Sequence, residues 1–148
     1  MKTFIFVIIL AAFLQTTTIE VDLVLLLVLS RSLERDDSFN MYMAFFAGIL
    51  LGLLTATNIG FYALFFLIAT RVGYLLRKSP VTNNIFTILP IAFFMATALG
   101  LAERIFLGQS INIVRYIIDT LSSLPIYFCV KFWEERFIVA PQMKLKLK

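Results

Sequence analysis

Apolar runs broken by short polar stretches divide the chain into six segments. The first covers residues 3–14 and ends at the polar break "QTTTIEVD"; the second covers 21–33 and is followed by "ERDD". The third runs over 39–55 and the fourth over 60–76, with "TATN" nearby and "RKSP" after the fourth. The fifth covers 84–106 and contains Pro90; the sixth covers 111–133 and contains Pro125. These runs show no strand-like alternation, so the pattern predicts helices rather than a barrel. Connections this short suit antiparallel neighbours. The predicted fold is an all-α, polytopic membrane bundle of about six spans, a single domain over residues 1–148 with a basic tail at 138–148.

Composition strengthens that reading. The 148 residues are 61% hydrophobic and only 15% charged, against roughly 45–50% and about 25% in an average soluble domain. A soluble fold of this size could not bury so much apolar surface, so the bilayer is the expected surroundings. Charge then orients the spans. Ten of the thirteen Lys and Arg residues fall on one side: Lys2, Arg31, Arg35, Arg77, Lys78, Lys131, Arg136, Lys144, Lys146 and Lys148. The loops "QTTTIEVD", "TATN" and "LGQS" hold none. The positive-inside rule therefore predicts that both termini are cytoplasmic, and Trp133 and Phe137 suit an interfacial belt. Residues 1–18 also resemble a signal peptide, but no clear small-residue cleavage site follows the apolar core, which favours a retained helix.

Histidine is absent and Cys129 is the sole cysteine. This removes the commonest general base and any disulfide within one chain. No phosphate-binding glycine loop occurs. The expectation is a non-enzyme with no cofactor, no metal and no nucleic-acid partner.

Two groups of residues stand out. Ala44, Gly48, Gly52 and Ala56 recur every fourth position and Gly60 follows. Four-residue spacing places small residues on one winding face, where helix backbones can approach closely. The partner of that face could be another helix of this chain or of another protein. In the sixth segment Arg115 and Asp119 lie four apart, with Ser122 and Ser123 on the same side and Pro125 beyond. An arginine–aspartate pair at this spacing can neutralise itself facing the bundle interior. It could also form a polar pocket or a docking point, and Pro125 frees the Leu121 carbonyl and predicts a kink. Pro90 is expected to mark another kink. Arg71 is expected to snorkel to the headgroups. Glu103 and Arg104 are expected at the outer interface, where charge is inexpensive. Glu20 and Asp22 are expected to favour the positive end of the second helix's dipole. The tail "MKLKLK" could bind anionic lipid.

Over nearly its whole length the chain resembles the rod shape-determining MreD family. The residues that carry the resemblance are an early helix ending in "FLQ", a second segment opening on an acidic residue in "VDLVLLLVL", and a helix with Gly48, Gly52, Leu53 and Leu54. "TATN", Ile59–Gly60 and the late "SSLPIYFCVKFWEERF" complete them. Two positions depart from the family pattern: Gly52 stands where an acidic residue is usual, and Val21 where proline is common. The resemblance implies a non-catalytic scaffold of the bacterial cytoplasmic (inner) membrane, working in cell elongation and peptidoglycan synthesis. Its partners would be an MreC-like bitopic protein and, directly or indirectly, MreB and the wall polymerase and transpeptidase. The same outline also resembles the substrate-binding membrane subunits of energy-coupling-factor vitamin transporters, which makes ligand capture the alternative.

Overall fold

The computed structural model describes residues 2–17, 21–34, 38–78, 87–108 and 113–136. These form six helices: α1 (Lys2–Thr17), α2 (Leu23–Glu34), α3 (Ser38–Leu54), α4 (Ile59–Arg77), α5 (Ile88–Leu107) and α6 (Ile113–Glu134). Three of them, α4, α5 and α6, are long and apolar enough to cross a membrane. Helices α1 and α3 are apolar but shorter. Large apolar side chains lie exposed on the outside of the bundle, among them Phe6, Tyr42, Leu64, Phe94, Ile105, Leu121 and Phe132. Water would penalise such a surface, whereas lipid tails accept it.

The centre is α2. It packs against all five other helices, and Val24, Leu25, Leu26 and Leu29 are buried among Ile8, Leu51, Phe66 and Leu99. Its 12 residues rise only about 18 Å, against a hydrocarbon core of about 30 Å. A helix enclosed on every side meets protein rather than lipid, so it need not match the bilayer's thickness. The end of α1, the starts of α2, α4 and α6, and the end of α5 meet at one end of the bundle. Arg31 lies at the other, its guanidinium 4.3 Å from the Phe4 ring centroid and 5.4 Å from that of Phe39.

Several boundaries differ from the sequence expectation. α1 runs past Leu14 to Thr17, because the hydroxyls of Thr16 and Thr17 bond back to the carbonyls of Ala12 and Phe13 and let polar residues continue the helix. α5 begins at Ile88, so Pro90 lies in its first turn rather than at a kink. There the missing N–H has no intrahelical acceptor to lose. Pro125 lies inside α6, which continues from Ile113 to Glu134. Asn84, residues 111–112, Glu20, Phe137 and the tail 138–148 lie outside the described residues.

The α3–α4 turn has a specific geometry. The Thr57 N–H donates to the Gly52 carbonyl at 3.1 Å and the Ala56 N–H to the Leu53 carbonyl at 3.3 Å. Ala56 adopts a φ of 51°. This is a Schellman ending, with alanine where glycine is usual. Ala56 is therefore a turn residue and not the fourth member of a packing stripe.

Candidate functional site

α2 starts at Asp22, whose carbonyl accepts the first helical bond, from the Leu26 N–H at 3.0 Å. An aspartate at this position ordinarily turns its carboxylate onto the free N–H groups of the first turn. Here another helix supplies such an acceptor. Gln15, near the end of α1, accepts from the Val24 N–H at 3.1 Å, and Asp119 on α6 accepts from the Asp22 N–H at 2.9 Å. The Asp22 carboxylate is thereby released for other bonds. Its Oδ1 takes the Gln15 amide N–H at 2.8 Å and a direct charge-assisted bond from Arg115 Nη2.

Arg115 links this group to α5. Its Nη1 lies 3.9 Å from Glu103 Oε2, while Glu103 Oε1 accepts from the Tyr62 hydroxyl of α4 at 3.0 Å. Five helices thus contribute one polar side chain or more to a single network at one end of the bundle. Asp22, Glu103 and Asp119 are all buried, and the Arg115 side chain retains 27% of its exposure. Burying charge is expensive unless it is paired and hydrogen-bonded. The network meets most of that cost by joining groups that no single helix could bring together.

Arg115 and Asp119 were expected to neutralise each other along one helix. Instead Arg115 reaches Asp22 and Glu103, and Asp119 caps α2. The inward face of α6 continues through Ser123, Tyr127 and Val130. Ser123 bonds back to the Thr120 carbonyl at 2.6 Å, and Tyr127 donates to Glu34 at the far end of α2. Ser122 is half-buried and Pro125 exposed, so both flank this face. Glu103 is buried, not set at an inexpensive interface. Its neighbour Arg104 is exposed, and so is Arg71, whose guanidinium lies 5.4 Å from the Tyr74 ring.

On α3, Ala44, Gly48 and Gly52 are buried. A Cβ at Gly48 would stand 2.3 Å from the Ala63 Cα and 2.4 Å from the Ala63 N, so this face is pressed against the backbone of α4. The neighbour of the small residues is thus internal. Gly60 lies in the first turn of α4 with open space where a Cβ would go. A second close approach joins α5 to α6, where the Tyr116 hydroxyl occupies the space beside Gly100.

The sequence reading did not link Gln15, Asp22, Tyr62 and Glu103 to Arg115. A signal was present: polar residues recur near the ends of predicted segments that alternation places on one side, and the loops there hold no Lys or Arg. Among the described residues, no three His, Cys, Asp or Glu side chains stand close enough to hold a metal ion. The chain matches no protein-family model, no curated protein and no solved structure.

Proposed function

We propose that the chain is a multi-pass protein of the bacterial cytoplasmic membrane, with both termini inside, serving as a non-catalytic scaffold of the MreD type. In this reading it binds an MreC-like bitopic protein and through it supports MreB and the wall-building polymerase and transpeptidase. The supporting observation is where the resemblance-bearing residues fall. Gln15 of "FLQ" and Asp22 of "VDLVLLLVL" bond to each other, fixing α1 to α2. The resemblance to MreD thus rests on residues that close this bundle.

Because α4 already covers Gly48, docking in this proposal falls to lipid-facing surfaces of the bundle. Vitamin capture loses support, since Arg115 and Asp119, which it would need facing a ligand, are bound to Asp22. Orientation rests on the basic residues: Arg31, Arg77 and Lys131 belong to helix ends away from the buried network.

The test is depletion in the source organism with imaging of cell shape, alongside co-purification of the full chain with its MreC-like partner. Rounded, swollen cells and recovery of the partner are expected. Unchanged rods, or a nutrient requirement with normal shape, would reject the scaffold.

A further inference from the structure

The network contains more acid than base. Three carboxylates, from Asp22, Asp119 and Glu103, surround the single guanidinium of Arg115. The connections at this end contain no Lys or Arg, and Arg104 is exposed. With every group ionised, the enclosed cluster would hold two uncompensated negative charges. The three acids differ in their partners. Asp22 has Arg115 and Gln15; Glu103 has Tyr62 and the approach of Arg115. Asp119 is fully buried, and although its Oδ1 takes the Asp22 N–H, its Oδ2 has no hydrogen-bond partner. An unpaired anion in such a place costs far more than an unpaired neutral hydroxyl.

We propose that this cluster is a proton-binding site, with the proton held on Oδ2 of Asp119 in the assembled bundle. The proton comes from bulk water as the helices close around Asp119 and returns there when they part. The charged and titratable groups that act on Asp119 are Asp22 from α2, Glu103 from α5, and Arg115 with Tyr116 on α6 itself; Gln15 from α1 and Tyr62 from α4 join the same cluster through Asp22 and Glu103. Only Arg115 among them is cationic: its Nη2 is bonded to Asp22 and its Nη1 approaches Glu103, while neither its buried Nε nor Oδ2 of Asp119 has a hydrogen-bond partner. Bundle assembly is therefore linked to proton uptake. The sign follows: at pH values above the ordinary aspartate range the folded state carries a proton that the unfolded state has already released, so stability falls as pH rises until the folded site itself loses the proton. This inference does not depend on the scaffold reading, and its test uses the isolated chain without partners.

The experiment is infrared spectroscopy of the full chain in lipid nanodiscs, with thermal unfolding followed from mildly acidic to mildly alkaline pH. At neutral pH the protein should show the carbonyl stretch of a protonated carboxyl group. That band should vanish in Asp119→Asn and persist in Glu103→Gln. The unfolding constant should rise with pH, up to about tenfold per unit for one linked proton, and Asp119→Asn should flatten that dependence. If Asp119→Asn does not fold, the band in the unmodified protein and its persistence in Glu103→Gln carry the test. Absence of the band at neutral pH overturns the proposal, as does its survival in Asp119→Asn or its loss in Glu103→Gln. Stabilisation by sodium ions with no carboxyl band would mean that a metal cation occupies the site, and would also overturn it.

Discussion

Asp22 opens a helix without capping it, and that exchange of roles is the main lesson at the scale of single residues. The carboxylate is available to Arg115 because Gln15 accepts the Val24 N–H it would otherwise serve, while Asp119 accepts Asp22's own N–H. Asp22→Ala should therefore cost about 1–3 kcal/mol, since it removes the direct charge-assisted bond to Arg115 and leaves the Gln15 amide without its acceptor. A double-mutant cycle with Arg115→Met, read by unfolding in detergent, measures the coupling between the two side chains. Ala56 offers the opposite outcome. It holds a left-handed conformation that penalises a Cβ by roughly 1–2 kcal/mol, so Ala56→Gly should stabilise the chain by about 1 kcal/mol in the same assay. Sequence spacing could not reveal these roles. An i,i+4 relation shows which groups are neighbours on one helix, and it rightly drew attention to Arg115 and Asp119. Their partners lie 93 and 97 residues away, at Asp22. Only assembly makes them adjacent.

At the scale of elements, helices and their approximate ends were legible because apolar runs and polar breaks follow directly from hydrophobic periodicity. Contacts between helices were less so. The small residues of α3 signalled close approach, and the structure puts Gly48 directly on the α4 backbone, while Ala56 and Gly60 belong to the turn and to the next helix. This distinction is testable. Gly48→Ala must push two backbones apart and should cost about 1–3 kcal/mol. Gly60→Ala meets open space within a helix and should be neutral or stabilising by up to about 1 kcal/mol. Equal losses at both glycines in thermal unfolding would contradict the packing described. Pro90 shows the limit of reading residue type alone: proline meant a kink by its chemistry, but its place in the first turn makes it compatible with a regular helix start.

For the whole molecule, a short helix enclosed by five others explains how charged groups persist in so apolar a chain. The buried network ties the termini of α1, α2, α4, α5 and α6 together at one end, and the outer faces remain apolar. This organisation also imposes an order in time. Synthesis runs from the amino terminus, so Asp22 emerges 93 residues, and Glu103 shortly, before Arg115, the cation that both approach. Until α6 arrives, the nascent chain holds carboxyl groups without their counter-ion, which are costly in an apolar surrounding and leave the unfinished bundle open to proteolysis. A chain stopped after Gly108 should be degraded several-fold faster than the full chain in a pulse–chase experiment. Adding Asp22→Asn and Glu103→Gln to the truncated chain should lengthen its lifetime, because the message that synthesis is unfinished would have been erased.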